Sequence, residues 1–229
     1  NGAVDIITGS GGADVMVGAG GADQLNGGGG VDTITGGAAA DLIDLGSDSV
    51  IDQYITTGGV ATVDTITNFT VGSGGDVLQI DLSDLNGVTE ALHAGGKVRT
   101  LSNVDGEDAT TSTNTVVNAG ASVIVAADID ADIIQITGDI ANVGAMANRF
   151  ETGGGNANTI TFTRAFAAGD TFLVLWHDAT HGYLSYVHAD AINAGAEADS
   201  GSLTGVNLIK FAAIDGDNAF TADNFNIIT

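Results

Sequence analysis

Aspartates recur every nine residues at the start of this chain. Each follows a glycine-rich stretch, as in "GGGGVDTIT" at 27–35, and each precedes a large apolar residue by two positions. Carboxylates at a fixed spacing suit calcium, which prefers six to eight oxygen ligands from carboxylates and backbone carbonyls. The aspartates in register are Asp5, Asp14, Asp23, Asp32 and Asp41, and their apolar partners are Ile7, Met16, Leu25, Ile34 and Ile43.

The repeated unit reads G-G-x-G-x-D-x-U-x, where U is apolar. This pattern is typical of a parallel β-roll that binds calcium. Glycine adopts positive φ and lets neighbouring turns approach closely, so that backbone carbonyls point at one spot. The glycines predicted to line the metal sites are Gly9, Gly11, Gly12, Gly18, Gly20, Gly21, Gly27, Gly29, Gly30 and Gly36.

Successive repeats alternate sides in a roll, so each turn stacks on the second turn after it. The predicted pairs are Asp5 with Asp23, Asp14 with Asp32, and Asp23 with Asp41. One turn cannot supply enough ligands, so we expect about three calcium ions caged between turns and a possible fourth at the C-terminal edge. Neighbouring carboxylates repel without metal, and calcium-dependent folding is therefore expected for at least the first fifty residues.

The composition excludes several classes of function. The 229 residues include 29 acidic and 5 basic residues, for a formal charge of −24, and this excludes nucleic acid as a natural partner. The chain has no cysteine, which rules out disulfides, thiol catalysis and cysteine–zinc sites. The sequence contains no apolar run of 18 residues, so we expect no membrane insertion.

Residues 63–85, "VDTITNFTVGSGGDVLQIDLSDL", predict a final strand and a turn that close the roll. This segment resembles the end of the β-roll in secreted repeats-in-toxin (RTX) proteins, with the form D-x-I-x-D-F-x-x-G-x-D-x-[IL]-x-[IL]-x-L-S. Asn68 stands where that pattern has a second aspartate. Asp64 either closes the last calcium site or simply begins a strand. The residues that match, once a short insertion near 73–75 is allowed, are Asp64, Ile66, Phe69, Gly72, Leu78, Ile80, Leu82 and Ser83.

The rest of the chain predicts a second, β-rich region. Residues 86–112 are polar and form a connection, and residues 113–229 predict a sandwich-like domain with one or two short helices. One helix is expected behind Asp139 as N-cap, and the other at 189–198. The predicted fold is thus dominated by β structure, with a calcium-binding roll at 1–85. The apolar stripe of the first helix comprises Ile140, Val143, Ala147 and Phe150.

Two other patterns resemble metal sites. His177 and His181 lie four apart in "WHDATHG", but strand-like residues flank them, which favours a polar hairpin over a zinc helix. The run at 128–132 and "DGDN" at 215–218 resemble calcium loops but lack the glycine and glutamate of an EF-hand. Nucleotide-binding and nucleophile motifs are absent from the sequence, and we predict no catalytic activity.

The tail, "LIKFAAIDGDNAFTADNFNII", resembles the C-terminus of many RTX exports. In that family a type I secretion machine, with an ABC transporter, reads this stretch. The chain starts in mid-repeat, and we expect it to be the C-terminal portion of a longer protein exported by a Gram-negative bacterium and placed at the cell surface.

The resemblance implies a module that folds outside the cell when calcium binds. The abundance of Gly, Ala and Thr without cysteine is similar to surface-layer (S-layer) proteins, which implies a lattice subunit that self-associates or binds surface polysaccharide. The alternatives are a large RTX adhesin and the noncatalytic tail of a secreted hydrolase, such as a serralysin-like protease or a lipase.

Overall fold

The computed structural model describes residues 2–57, 62–81, 116–119, 133–136, 138–150, 171–189, 203–214 and 220–228. Two compact units make up the chain. The first comprises 1–88, 208–214 and 219–229, and the second comprises 89–207 and 215–218. The architecture is almost entirely β, with parallel strands forming a solenoid, which confirms the predicted fold class.

The first unit contains short strands that follow one another at nearly regular intervals. They are β1 (Ile6–Thr8), β2 (Val15–Gly20), β3 (Gln24–Asn26), β4 (Thr33–Ala38), β5 (Leu42–Asp44), β6 (Gln53–Ile55), β7 (Asp64–Thr67) and β8 (Val77–Asp81). The later strands are β9 (Val116–Ala119), β10 (Ile133–Ile136), β11 (Thr171–His177), β12 (His181–Ala189), β13 (Leu203–Ala212) and β14 (Phe225–Ile228).

Strands of the roll pair in parallel with the second strand after them. The odd column is β1, β3, β5 and β7, and the even column is β2, β4, β6 and β8. Ile7 lies opposite Leu25, and Met16 lies opposite Ile34. The predicted stacking of each turn on the second turn after it is confirmed.

The apolar residue two positions after each aspartate points into the roll. Because side chains alternate along a strand, this position lines the interior while its immediate neighbours face outward, and buried Leu45 and Ile80 add to the core. Buried residues of the odd column are Leu25, Ile43 and Ile66, and those of the even column are Met16, Ile34, Tyr54 and Leu78.

The C-terminal residues form the last rungs of the roll. Strand β14 pairs in parallel with β8, and Ile209 to Phe211 of β13 pair with β7. Buried Asn224 fastens this end, because its amide donates to the carbonyl of Asp76 at 2.9 Å and its Oδ1 accepts from the Gly72 N–H at 2.8 Å. The sequence had placed these segments in the C-terminal domain, whereas they lie in the same unit as the repeats.

Four phenylalanines close this end of the roll. Phe69 meets Phe211 edge-on with ring centroids 5.0 Å apart, and Phe220 lies 5.0 Å from Phe211 and 5.7 Å from Phe225. All four are buried, so apolar contacts take over at the point where the glycine repeats have ended.

In the second unit, strands β9, β10 and β11 pair in parallel, and β11 and β12 form an antiparallel hairpin. Helix α1 (Val143–Ala147) and a 3₁₀ turn (Asn148–Phe150) present the predicted apolar stripe to a core that includes Trp176 and Val187. A second sandwich layer stays a prediction, and the helix expected at 189–198 lies almost entirely outside the described residues.

Asp139 is not the N-cap of α1, contrary to the sequence expectation. The cap is Asn142, whose Oδ1 accepts from the Ala145 N–H at 2.9 Å. The helix begins later because the N–H of Ile140 donates to the carbonyl of His177, which holds that residue outside the helix. In the described part of the chain, no helix is long and apolar enough to cross a membrane.

Alanine replaces glycine at two positions of the repeat with left-handed backbone, Ala19 and Ala39. Ala39 has φ 84°, while glycines at the equivalent place in earlier turns, Gly21 and Gly30, have φ 111° and 95°. A side chain in this left-handed region costs about 1–2 kcal/mol.

We predict that Ala39→Gly raises the free energy of unfolding by about 1 kcal/mol, because the replacement removes the Cβ from left-handed backbone. The measurement is urea denaturation in saturating calcium. Ala38→Gly is the matched control, since Ala38 ends a strand and glycine there costs about 0.5–1 kcal/mol. Equal shifts of the two variants in the same direction would contradict the assignment of strain to Ala39.

Candidate metal centre

The repeat aspartates form two ladders that run the length of the roll. In each rung, Oδ1 of one aspartate accepts a hydrogen bond from the backbone N–H of the aspartate one turn earlier in the same column, at 2.7–2.9 Å. The odd ladder is Asp5, Asp23, Asp41 and Asp64, and the even ladder is Asp14, Asp32, Asp52 and Asp76.

Three ladder carboxylates have a second oxygen without a donor. Oδ2 of Asp23, Asp32 and Asp41 is fully buried, and no described residue gives it a hydrogen bond. A buried charged oxygen normally has a donor or a cation beside it, because leaving it without either costs several kcal/mol.

Each of these oxygens lies beside the glycine five residues earlier. Those of Asp23 and Asp32 also face the next turn of the same column, about eighteen residues later. A Cβ added to Gly18 would lie 2.5 Å from Asp23 Oδ2 and 2.5 Å from the carbonyl oxygen of Gly36. At Gly27, the added atom would clash with Asp32 Oδ2 and lie 3.0 Å from the carbonyl oxygen of Leu45. A carboxylate oxygen and a carbonyl oxygen from successive turns therefore converge on one small space.

At Gly36, an added Cβ would clash with Asp41 Oδ2, so the carboxylate oxygen lies against the glycine five residues earlier there too. The first glycine of each of these repeats thus leaves a space beside a carboxylate oxygen that a side chain would fill, while the other repeat glycines shape the turn. Gly21, for example, has φ 111° and packs against the backbone of Ala3, and the N–H of Gly29 donates to the carbonyl of Ser10.

The arrangement fits calcium. The atoms that could bind a metal are all hard oxygens: one carboxylate oxygen without a hydrogen-bond donor, and backbone carbonyl oxygens. Calcium prefers such ligands. Within the ranges described, no three His, Asp or Glu side chains cluster as a metal site. A site here must be built from one carboxylate per turn plus main-chain oxygens.

Burial raises the pKa of several ladder aspartates. Desolvation, together with nearby carboxylates, raises the pKa of Asp52 from 3.8 to about 6, and desolvation raises that of Asp64 to about 6. The pKa values of Asp32, Asp41 and Asp76 are also raised, with burial as the largest cause. In the metal-free roll, charge on these groups is therefore disfavoured.

At three of the four ends of the ladders, Asp14, Asp64 and Asp76, protein donors satisfy the second oxygen. Asp14 Oδ2 accepts from the Ser10 N–H at 2.6 Å, and Asp76 Oδ2 accepts from the Thr70 N–H at 2.7 Å. Asp64 Oδ2 accepts from the Tyr54 hydroxyl at 2.6 Å. The orphaned oxygens are thus confined to the middle of the roll.

Sequence reasoning missed Asp52 and Asp76. The turns before them are longer, so the spacing to the previous member of the ladder is 20 and 24 residues instead of 18. The signal that remains is the triplet D-x-U, since Tyr54 and Leu78 stand two residues after the aspartates and are buried. A search for D-x-U without a fixed period would have found both.

Asn68, which stands where the RTX pattern has a second aspartate, has a structural role. Asn68 adopts φ 58°, and its amide donates to Asp44 Oδ1 at 2.7 Å on the outer surface of the roll. It belongs to an outward-facing pair of contacts, since the amide nitrogen of Asn26 also donates to Asp44, whose Oδ2 accepts.

The histidine pair forms a hairpin, as predicted. His177 ends β11 and His181 begins β12, with His177 paired opposite Gly182. His181 Nδ1 lies 2.6 Å from the hydroxyl of Thr180, whereas His177 Nδ1 lies 3.3 Å from Asp139 Oδ1, so the two rings have different partners. The acidic runs at 128–132 and 215–218 lie outside the described residues.

Comparison with known proteins identifies the repeats. The family model for the RTX calcium-binding nonapeptide repeat, with four copies, matches residues 1–34 and 17–49. No curated protein matches the chain. Among solved structures, the solution structure of the AlgE6R3 subunit from the Azotobacter vinelandii mannuronan C5-epimerase is similar, with 18% identity, a TM-score of 0.37, and coverage of 99% of this chain and 80% of that chain.

We predict that acidification stabilises the roll when calcium is absent and destabilises it when calcium is present. The folded pKa values of Asp52 and Asp64, about 6, exceed the ordinary 3.8. The metal-free fold therefore binds more protons than the unfolded chain between these values, and its stability falls as pH rises through that window. With calcium, protons compete with the ion, which reverses the slope.

Circular dichroism of the full chain between about pH 4 and pH 7, which spans that window, measures both slopes in calcium-free buffer and in saturating calcium. Slopes of the same sign in the two buffers would contradict the prediction.

Proposed function

We propose that this chain, whose residues 1–49 are RTX calcium-binding nonapeptide repeats, is a noncatalytic module that folds when three calcium ions enter the roll. The observation that carries the proposal is the set of three buried, donorless carboxylate oxygens on Asp23, Asp32 and Asp41. Each proposed ion lies beside one of these oxygens. Gly36 O supplies a further ligand at the Asp23 site, and Leu45 O supplies one at the Asp32 site.

Calcium supplies the positive charge that the buried carboxylates lack. The residues of the chain do the rest: Oδ1 of each aspartate fixes its carboxylate to the previous turn, which leaves Oδ2 aimed at the space beside the first glycine. Each proposed site takes oxygens from two turns of one column. Calcium therefore binds only when those two turns are stacked. The remaining predicted ligands shape the same turns. They are Asp5, Asp14 and the glycines that follow the first glycine within each repeat.

We place the protein outside a Gram-negative cell, exported by a type I machine that reads the C-terminal tail. Low cytosolic calcium keeps the sites empty and the chain threadable, and calcium outside the cell then drives folding. The acidic excess supports this, since a formal charge of −24 disfavours the compact state until cations bind.

The parent that the composition favours is an S-layer subunit, in which this module contributes to a lattice or contacts surface polysaccharide. The absence of cysteine and the 35 glycines support this choice. The second candidates are the noncatalytic tail of a secreted hydrolase and a large adhesin. Electron microscopy of the secreted full-length protein separates them: a two-dimensional lattice that dissolves in chelator supports the S-layer proposal, and dispersed molecules in calcium overturn it.

We predict that Asp32→Asn removes one bound calcium ion and raises the calcium concentration at the folding midpoint by at least about tenfold, because one site loses its charged ligand. Calorimetric titration of the full chain gives the number of ions, and circular dichroism gives the midpoint.

Asp44→Asn is the matched control for that experiment. Asp44 lies on β5 with its carboxylate bonded to Asn26 and Asn68 on the outer surface. If overall negative charge alone made folding respond to calcium, both variants would shift the midpoint equally, and the proposed sites would be wrong.

A further inference from the structure

Asp64 differs from the three aspartates with donorless oxygens in one atom. Its Oδ1 accepts from the Asp41 N–H at 2.8 Å, in the same way as the other ladder members. Its Oδ2, however, accepts a hydrogen bond of 2.6 Å from the hydroxyl of Tyr54. The second oxygen, which is orphaned at Asp23, Asp32 and Asp41, is therefore satisfied here by a protein side chain.

Tyr54 is the one residue with a hydroxyl at the inward position of strands β1 to β8. It pairs with Ile34 on one side and Leu78 on the other, and it is fully buried. Its hydroxyl extends from the even column to the first residue of β7 in the odd column. A buried tyrosine hydroxyl needs a partner, and the Asp64 carboxylate provides it.

A phenol hydroxyl and a cation can each be the partner of a buried carboxylate oxygen. Both place positive charge density against a buried carboxylate oxygen, but the phenol is neutral overall and offers a single proton. The space that its oxygen fills beside Asp64 Oδ2 is no longer open to an ion.

We propose that the Tyr54 hydroxyl takes the place of a calcium ion at Asp64, so that the odd column of ions ends at Asp41. Asp64 is then a structural carboxylate at the start of β7 and not a metal ligand, which is the second of the two roles that the sequence left open for it. This inference rests on the proposed calcium-dependent folding, and it makes Tyr54 the residue that sets how many ions the roll takes.

The test counts calcium ions bound to full-length variants by equilibrium dialysis. Asp64→Asn preserves both contacts, because the amide oxygen still accepts from Asp41 and the amide N–H₂ donates to the Tyr54 oxygen. We expect the ion count of the wild type and a calcium midpoint within about twofold of it. Loss of one ion would overturn the proposal, since it would show that Asp64 is a ligand.

Tyr54→Phe is the second variant, and it removes only the hydroxyl. Asp64 Oδ2 then becomes orphaned like its three counterparts, and we expect one additional ion and a steeper dependence of folding on calcium. An unchanged or lower count would contradict the replacement of an ion by the hydroxyl. A wild type that binds no calcium at all would instead refute the proposed function, so the two failures are distinguishable.

Discussion

The roll depends on buried carboxylates that have more acceptor oxygens than the chain has donors for them. One oxygen of each ladder aspartate receives a backbone N–H, and this contact fixes the stacking of turns. The effective cost of burying an unpaired charge is several kcal/mol per group. Three such groups therefore weaken the metal-free roll unless protons or a cation neutralise them. The proposed function follows from this constraint, because an ion that neutralises these groups would couple calcium binding to folding.

The two ends of the roll meet this constraint without metal. Side-chain and backbone donors from Ser10, Tyr54 and Thr70 satisfy the second oxygens of the outer aspartates. At the C-terminal end, Asn224 and the phenylalanine cluster replace the glycine turns altogether. Under the proposed function, the dependence on calcium is concentrated in the central turns, where glycine leaves space and offers no side-chain donor.

The nine-residue register predicted the most regular part of the structure. It gave the strands, the inward apolar residues and the pairing of Asp5 with Asp23, because an unbroken repeat has one consistent stacking. The prediction failed where local rules stop: the pairing of β14 with β8 joins residues nearly 150 positions apart, and nothing in either strand alone specifies the other. Tyr54 also escaped notice, since a tyrosine at an apolar position reads as core until its hydroxyl has a partner.

The most direct test is a crystal structure of the full chain grown in calcium, with anomalous difference maps that locate the ions. The account predicts ions 2.3–2.6 Å from Oδ2 of Asp23, Asp32 and Asp41, each also bound by main-chain carbonyls of the adjoining turn. It predicts no ion at Oδ2 of Asp64, where the Tyr54 hydroxyl remains bonded. Maps that show these three oxygens bonded to protein donors, with calcium elsewhere or absent, would contradict it.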